Sequence, residues 1–415
     1  MTFVEDDFAR AIAEAKRRHV PIFVDAWAPW CHTCLSMREL TLGDPRLSAL
    51  DNRYVWLAVD TEKPTNAAFV ARFPNRVWPT LYVLDERGER ALLAWGGSAT
   101  AEELVALLED VQGGGARARF AEGAASLASG DKDLARAAFT SLLGSPAADP
   151  GTRARAVEAL AGLLARARDA AGCVALARRW VPLMPAGSSR AAVLVTALSS
   201  LDEADAGEPG TASPALPEQV AWLLEETERA ATTLAEPLVP DDRSGLYEAL
   251  VDHYLSSKDH ARVKALASAW ASFLEGEAGR ASRPALRSVY DAHRVLAYQA
   301  LGTPERSLPM LALTLRDFPG DGNAHARLAR VHMALGHRGE AVLEARTAVA
   351  LLEGPRSLRA VTILADALEA SARPEEASAA IAQVLERVRP LPLTPTQRKL
   401  AMDLEARVTR LRSPR

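Results

Sequence analysis

Three cysteines occur in this 415-residue chain, and two of them, Cys31 and Cys34, stand two residues apart. They come just after an apolar run of β character, Pro21 to Ala26, and open a helical pattern that runs from Cys31 to Leu42. A Cys-x-x-Cys at a strand-to-helix junction is the pattern of a dithiol redox centre. The position explains the chemistry. Unsatisfied N–H groups and the positive end of the helix dipole stabilise a thiolate at Cys31, and the thiolate is the form that attacks a disulfide. Cys34 lies one turn further in, close enough to attack Cys31 in return.

The residues around the pair narrow the reading. Val24-Asp25-Ala26-Trp27-Ala28-Pro29-Trp30-Cys31-His32-Thr33-Cys34 resembles the thioredoxin family, which reads V-D-x-W-A-x-W-C-x-x-C here. Val77-Trp78-Pro79-Thr80-Leu81 resembles the place where that family carries its cis-proline before an apolar strand. The resemblance covers roughly residues 1–112. It implies Cys31 as the attacking thiol, Cys34 as the resolving thiol, and Asp25 as the buried carboxylate that handles the Cys34 proton. It implies Pro79 as a docking residue for an extended substrate, with Trp30, His32 and Trp78 on the same docking surface. Met37, Thr41-Leu42, Asp44-Pro45 and Val59-Asp60 are similar to one branch, the C-terminal domain of the transmembrane thiol:disulfide interchange reductase. There the acidic-Pro pair starts an extra helical turn before the central strand.

The departures carry expectations of their own. Counting back from Asp60, Trp56 stands where thioredoxin places a lysine near the buried aspartate. Asp25 then lacks that cation, and desolvation raises its pKa. Trp78 is bulkier than the usual residue before the cis-proline and reshapes the docking surface. The dipeptide between the cysteines is His32-Thr33. A cationic His32 beside the thiolate would stabilise the reduced form and make the disulfide more oxidising.

Other readings of these residues are weaker. A zinc site needs four ligands, and the remaining cysteine, Cys173, lies far along the chain in an apolar helical pattern. Cys173 reads as a buried small hydrophobe. Neither metal nor cofactor is expected. Trp27, Trp56, Trp78 and Trp95 suit a core, whereas the motif places Trp30 at the site surface. A net charge of −4 gives no footprint for nucleic acid. No apolar run reaches the ~18 residues of a membrane span. The acidic start, Met1 to Phe8, lacks the basic and apolar parts of a signal peptide, so a cytoplasmic location is the expectation.

The elements that must position the dithiol can be placed in order. Glu5 to Arg18 reads as an amphipathic helix with Phe8, Ile12 and Ala15 at helical spacing. Strands are expected at Pro21–Ala26, Tyr54–Asp60, Thr80–Leu84 and Ala91–Trp95, the last two joined by the Asp85–Gly88 turn. Helices are expected at Asn66–Phe73 and Ala101–Val111. This is the thioredoxin-like α/β layout without its first strand.

Gly113-Gly114-Gly115 then reads as a joint, and the chain beyond it is helical in character. Helix–turn–helix patterns occupy Phe120–Leu143, Ala154–Leu183 and Gly245–Leu274. Asp202–Pro217 reads as an insertion rich in Pro, Gly and acids. Leu296-Ala297, Leu328-Ala329 and Leu364-Ala365 recur at spacings of 32 and 36, with small residues between. These offsets resemble the tetratricopeptide family. Pro309 is expected to kink its helix, and Thr394-Pro395 to start a last, capping helix. The domains are therefore 1–112 (thioredoxin-like), 116–200 (tetratricopeptide-like hairpins), 218–390 (tetratricopeptide-like repeats) and 394–412 (cap).

A helical repeat surface of this kind holds a peptide or another protein. Asn323 is the sole asparagine after the joint, which disfavours the asparagine-based carboxylate clamp of tetratricopeptide proteins. Two functions remain. One is a thiol-disulfide oxidoreductase acting on protein disulfides or thiols, its helical part recruiting the substrate or a redox partner. The other is a thioredoxin-like co-chaperone or scaffold in which redox activity is secondary.

Overall fold

The protein was analysed as a computed structural model that describes residues 1–75, 77–112, 115–205 and 217–412. Two glycines of the expected joint, Gly113 and Gly114, and residues 206–216 of the expected insertion lie outside the described residues. The flanks of that insertion are helical.

The N-terminal elements are β1 (Val4–Glu5), α1 (Phe8–Arg18), β2 (Ile22–Trp27), α2 (His32–Ser36), β3 (Val55–Asp60), α3 (Ala67–Arg72), β4 (Thr80–Leu84), β5 (Ala91–Gly96) and α4 (Ala101–Gln112). The strands form one sheet in the order β1-β3-β2-β4-β5. β1 runs parallel to β3, and β4 runs antiparallel to both β2 and β5. The first strand, not expected from the sequence, is therefore present. At two residues it is too short to show an alternating pattern. β2 is the middle strand and β3 its neighbour, and both are buried almost throughout, as their largely apolar runs require.

Local chemistry sets the ends of these elements. Asp7 caps α1 by accepting the Arg10 N–H at 2.9 Å. Asp44 caps a 3₁₀ turn, Pro45–Arg53, that leads into β3, as the acidic-Pro pair implies. Gly88 closes the β4–β5 hairpin at φ +65°, and a Cβ there would lie 2.8 Å from Phe8 and 2.9 Å from Ile12. Only glycine fits both that conformation and that close approach.

The helical elements are α5 (Ala116–Ser129), α6 (Lys132–Leu143), α7 (Pro150–Arg166), α8 (Ala170–Trp180), α9 (Ser188–Asp205), α10 (Pro217–Thr232), α11 (Pro240–Ser256) and α12 (His260–Arg280). They continue as α13 (Pro284–Ser288), α14 (Asp291–Leu301), α15 (Ser307–Asp317), α16 (Gly322–Ala334), α17 (Arg338–Leu351), α18 (Ser357–Ala370), α19 (Pro374–Val388) and α20 (Pro395–Arg412). Pro309 does not kink its helix. α15 begins at Ser307, so Pro309 falls in the first turn, where backbone N–H groups have no intrahelical partner to lose.

The chain divides into two compact units interleaved in sequence. One is Met1–Trp27, Cys31–Val59 and Asn75–Glu277; the other is Ala28–Trp30, Asp60–Pro74 and Ala278–Arg415. In the first unit the core runs without a break from the sheet into the helices. Trp95 of β5 meets Phe120 of α5 at 5.9 Å between ring centroids, and Phe120 meets Phe139 of α6 at 5.6 Å. Cys173 is a buried free thiol in α8.

In the second unit α16 to α20 stack as antiparallel hairpins. Ala329, Ala341 and Ala345 are fully buried between α16, α17 and α18, with Leu364, Leu368, Ile381 and Val384 continuing the seam. α20 opens on a reciprocal capping pair between Thr394 and Gln397. Among the described residues, no helix is long and apolar enough to cross a membrane.

Phe120 joins the sheet to the first helical hairpin. Phe120→Ala is expected to lower the stability of this unit by about 3–5 kcal/mol, read from urea unfolding followed by tryptophan fluorescence. A loss below ~1 kcal/mol would mean that the site collapses around the truncation.

Candidate functional site

The dithiol lies where β2 hands over to α2. Cys31 is the N-cap of α2, and its sulfur accepts the Cys34 N–H at 3.0 Å. The two cysteines are joined as a disulfide with their Cα atoms 5.2 Å apart. Cys34 is fully buried and Cys31 only 5% exposed. The helix continues past Ser36 as a π-helical turn, Met37–Thr41, a local widening frequent near functional sites. That turn is pinned by two contacts with one residue. Thr41 donates its hydroxyl to the Ala99 carbonyl at 2.9 Å, and the Ala99 N–H points at the Met37 sulfur at 3.3 Å.

Asp25 sits on β2, paired in register with Leu81 of β4. It is 1% exposed, and neither carboxyl oxygen has a hydrogen-bond partner among the described residues. Burial pushes its pKa up to about 7; Arg38 opposes the rise and Glu5 adds to it. Trp56 packs among Phe23, Phe3 and Tyr54, with centroids 4.8, 5.8 and 5.9 Å away. The cation near Asp25 is therefore Arg38, which sequence reasoning missed. Its guanidinium lies 4.3 Å from the Trp27 ring centroid and bonds Glu5 at 2.9 Å.

The Trp78–Pro79 peptide bond is cis. Pro79 is buried and directly precedes the last β2–β4 pair, Ala26 with Thr80. Because those strands are antiparallel, Pro79 stands at the end of the sheet where β2 leads towards Cys31. Its carbonyl accepts the Gly97 N–H at 2.9 Å. Trp78 is half-buried.

His32 meets a residue that no local pattern could announce. Its Nδ1 lies 2.9 Å from Oδ1 of Asp241, in the first turn of α11, whose side chain is 7% exposed. The neighbouring Asp242 accepts hydroxyls from Ser98 and from Ser188, the latter at 2.5 Å. Burial pushes Asp242 up to about 7, against those two hydrogen bonds. Arg243 anchors the start of α11. Its guanidinium donates to the carbonyls of Ala230, Ala231, Thr233 and Glu236 at 2.9–3.0 Å, filling acceptors that the end of α10 leaves open. The aspartates beside the dithiol are thus held by a helix from the middle of the chain.

In the second unit Trp30 is also covered. The Arg359 guanidinium of α18 lies 3.7 Å from its ring centroid, and Asn323 of α16 donates to the Pro29 carbonyl at 3.3 Å.

A family model described as a thioredoxin-like domain matches residues 8–112. No curated protein matches the chain. The fold class is an α/β thioredoxin-like N-terminal domain joined to an all-α helical repeat array. A thioredoxin-like domain with a Cys31–Cys34 disulfide has the equipment for thiol-disulfide chemistry.

Two measurements test this geometry. The Asp25 carboxyl has a raised folded-state pKa, so its contribution to stability is complete below the unfolded value near 4. That contribution declines as pH rises and is lost once pH passes about 7. The difference amounts to about 4 kcal/mol. Relative to the wild type, Asp25→Asn should gain stability between pH 4 and 7 and then level off. A pH-independent difference between the two unfolding curves would rule this out. The second measurement concerns Asp241, whose carboxylate lies against the His32 imidazole. Asp241→Asn should shift the dithiol potential by about +10 to +30 mV, or two- to tenfold in the equilibrium constant. Equilibration with a glutathione buffer reads this, and a fall in potential would reverse the assignment.

Proposed function

We propose that this chain is a thiol-disulfide oxidoreductase acting on protein substrates through Cys31 and Cys34, with its helical array recruiting a substrate or redox partner. The observation that carries the proposal is the N-cap position of Cys31. A sulfur that already accepts a backbone N–H at a helix start is stabilised as a thiolate.

In the reductive direction the Cys31 thiolate attacks one sulfur of a target disulfide. A mixed disulfide forms, and the other target sulfur leaves as a thiolate. Cys34 then gives its proton to Asp25 and attacks the Cys31 sulfur. The Cys31–Cys34 disulfide forms, and the target's second thiolate departs. Two electrons pass from the dithiol to the target, and the reverse sequence oxidises a dithiol. A carboxyl group that titrates at about 7 suits this proton transfer at neutral pH. Trp30, His32, Trp78 and Pro79 form the proposed docking surface. Domain boundaries of 1–112, 116–200, 218–390 and 394–412, a tetratricopeptide kinship for the repeats, and a cytoplasmic location belong to the same proposal.

One observation favours a second reading. Cys31 is 5% exposed, and His32 and Trp30 each have a partner within the protein. A dithiol so enclosed suits a co-chaperone or scaffold whose redox exchange is secondary.

Alkylation separates the readings. In single-cysteine variants Cys31 should react faster than Cys34 at neutral pH, with an apparent pKa below the free value of ~8.5. Cys34→Ser should also accumulate mixed disulfides with a reduced-and-reoxidised protein substrate. Equal alkylation rates and no trapped adduct would leave the scaffold reading.

A further inference from the structure

The second unit holds a cavity of 210 Å³ whose wall includes Pro29 and Trp30, the two residues that precede Cys31 in the chain. Four arginines reach it: Arg327 and Arg330 from α16, Arg356 from the turn before α18, and Arg359 from α18. One carboxylate, Glu62, lines it too. The charges are not matched. Arg356 is paired with Asp60, and Glu62 accepts from Gln397 at 3.0 Å. Arg327 acts at longer range on the buried Asp291 and Arg359 on Glu62, so four guanidiniums share one lining carboxylate. Arg359 is spread on the Trp30 ring. Burial pushes its pKa down, Glu62 opposes this, and repulsion from Arg330 adds to it.

Where guanidinium groups outnumber the carboxylates lining a cavity, an anion stabilises them, and two or more of them offer a carboxylate the parallel N–H donors it pairs with best. The remaining wall is apolar: Ala326, Leu352, Ala360 and Ile363 beside the Trp30 ring. Such a wall suits an anionic group on an aliphatic stem better than a bare inorganic ion. The cavity can take one side chain, not a folded surface.

We propose that this cavity is a specificity site for an acidic side chain of a peptide substrate, a Glu or Asp close in sequence to the cysteine that exchanges with Cys31. The choice of a cysteine-flanking peptide rests on the oxidoreductase reading; the anion preference of the cavity does not. Trp30 forms one wall, and its Cα is one peptide link, about 3.8 Å, from that of Cys31.

The test uses the full-length protein at 0.15 M salt and two arms. In the binding arm the probes are octapeptides with cysteine replaced by serine, carrying Glu or Gln two residues away. Binding is followed by tryptophan fluorescence and calorimetry, with inorganic phosphate as a second probe. The Glu peptide should bind about tenfold tighter than the Gln peptide, and Arg330→Gln, at an exposed helical position, should bring that ratio close to one. Arg327→Gln serves as the second variant. In the exchange arm the cysteine is restored in the same two peptides and carried as a mixed disulfide with glutathione, and the ratio of their reduction rates should track the binding ratio. Equal affinities for the Glu and Gln peptides would overturn the site. Phosphate binding without any Glu preference would assign the cavity to a free oxyanion and overturn the peptide ligand. A Glu preference in binding with no exchange on either disulfide would keep the anion site and remove the oxidoreductase reading beneath the proposal.

Discussion

Among the described residues the carboxyl group of Asp25, at the middle of the sheet, has no hydrogen bond. An ionised carboxylate in such a place is costly, so the group moves its pKa instead. Asp25 does this because its surroundings stay apolar. Trp56 fills the neighbouring strand position with an aromatic cluster. The nearest cation, Arg38, is divided between Glu5 and the Trp27 ring. Burial thus raises the carboxyl's pKa to about 7. An arginine placed fully on Asp25 would instead favour the carboxylate.

Around this centre the helical region does more than extend the sheet's core. α11 brings Asp241 to the imidazole between the cysteines, and Arg243 holds α11 against the open end of α10. The histidine between the cysteines is therefore paired with an aspartate rather than standing alone beside the sulfurs. Its influence on the dithiol depends on a helix more than two hundred residues away in sequence. The redox properties of the motif cannot then be assigned to the four residues Cys-His-Thr-Cys alone.

What was legible in the sequence was local. The Cys-x-x-Cys, the proline before β4 and the acidic-Pro turn each declare themselves within a few residues, because helix starts and turns are short-range choices. Trp56 lies in an aromatic cluster beside Phe23, Phe3 and Tyr54, as its place in an apolar strand run suggests. Asp241, Arg359 and Arg330 were not. A charged residue on a helix looks like a solvated face whether it meets water or a distant tryptophan. Pro309 was misread for a related reason: a proline breaks a helix or begins one according to a boundary that moves by two or three residues. β1, two residues long, has no period to detect.

The second unit suggests why two short stretches of the N-terminal part pack with the C-terminal hairpins. Asn323 on α16 reaches Pro29, Arg356 before α18 reaches Asp60, and Gln397 on α20 reaches Glu62. Successive hairpins each give one polar contact. A neutral hydrogen bond of this kind contributes only about 1 kcal/mol, and one to a charged group somewhat more. Three of them fix a position far better than they stabilise it. An apolar seam of the same extent would tolerate sliding, because hydrophobic burial is not directional. Directional contacts therefore fix where Pro29, Asp60 and Glu62 lie along the hairpins, a positional demand that apolar packing alone does not meet.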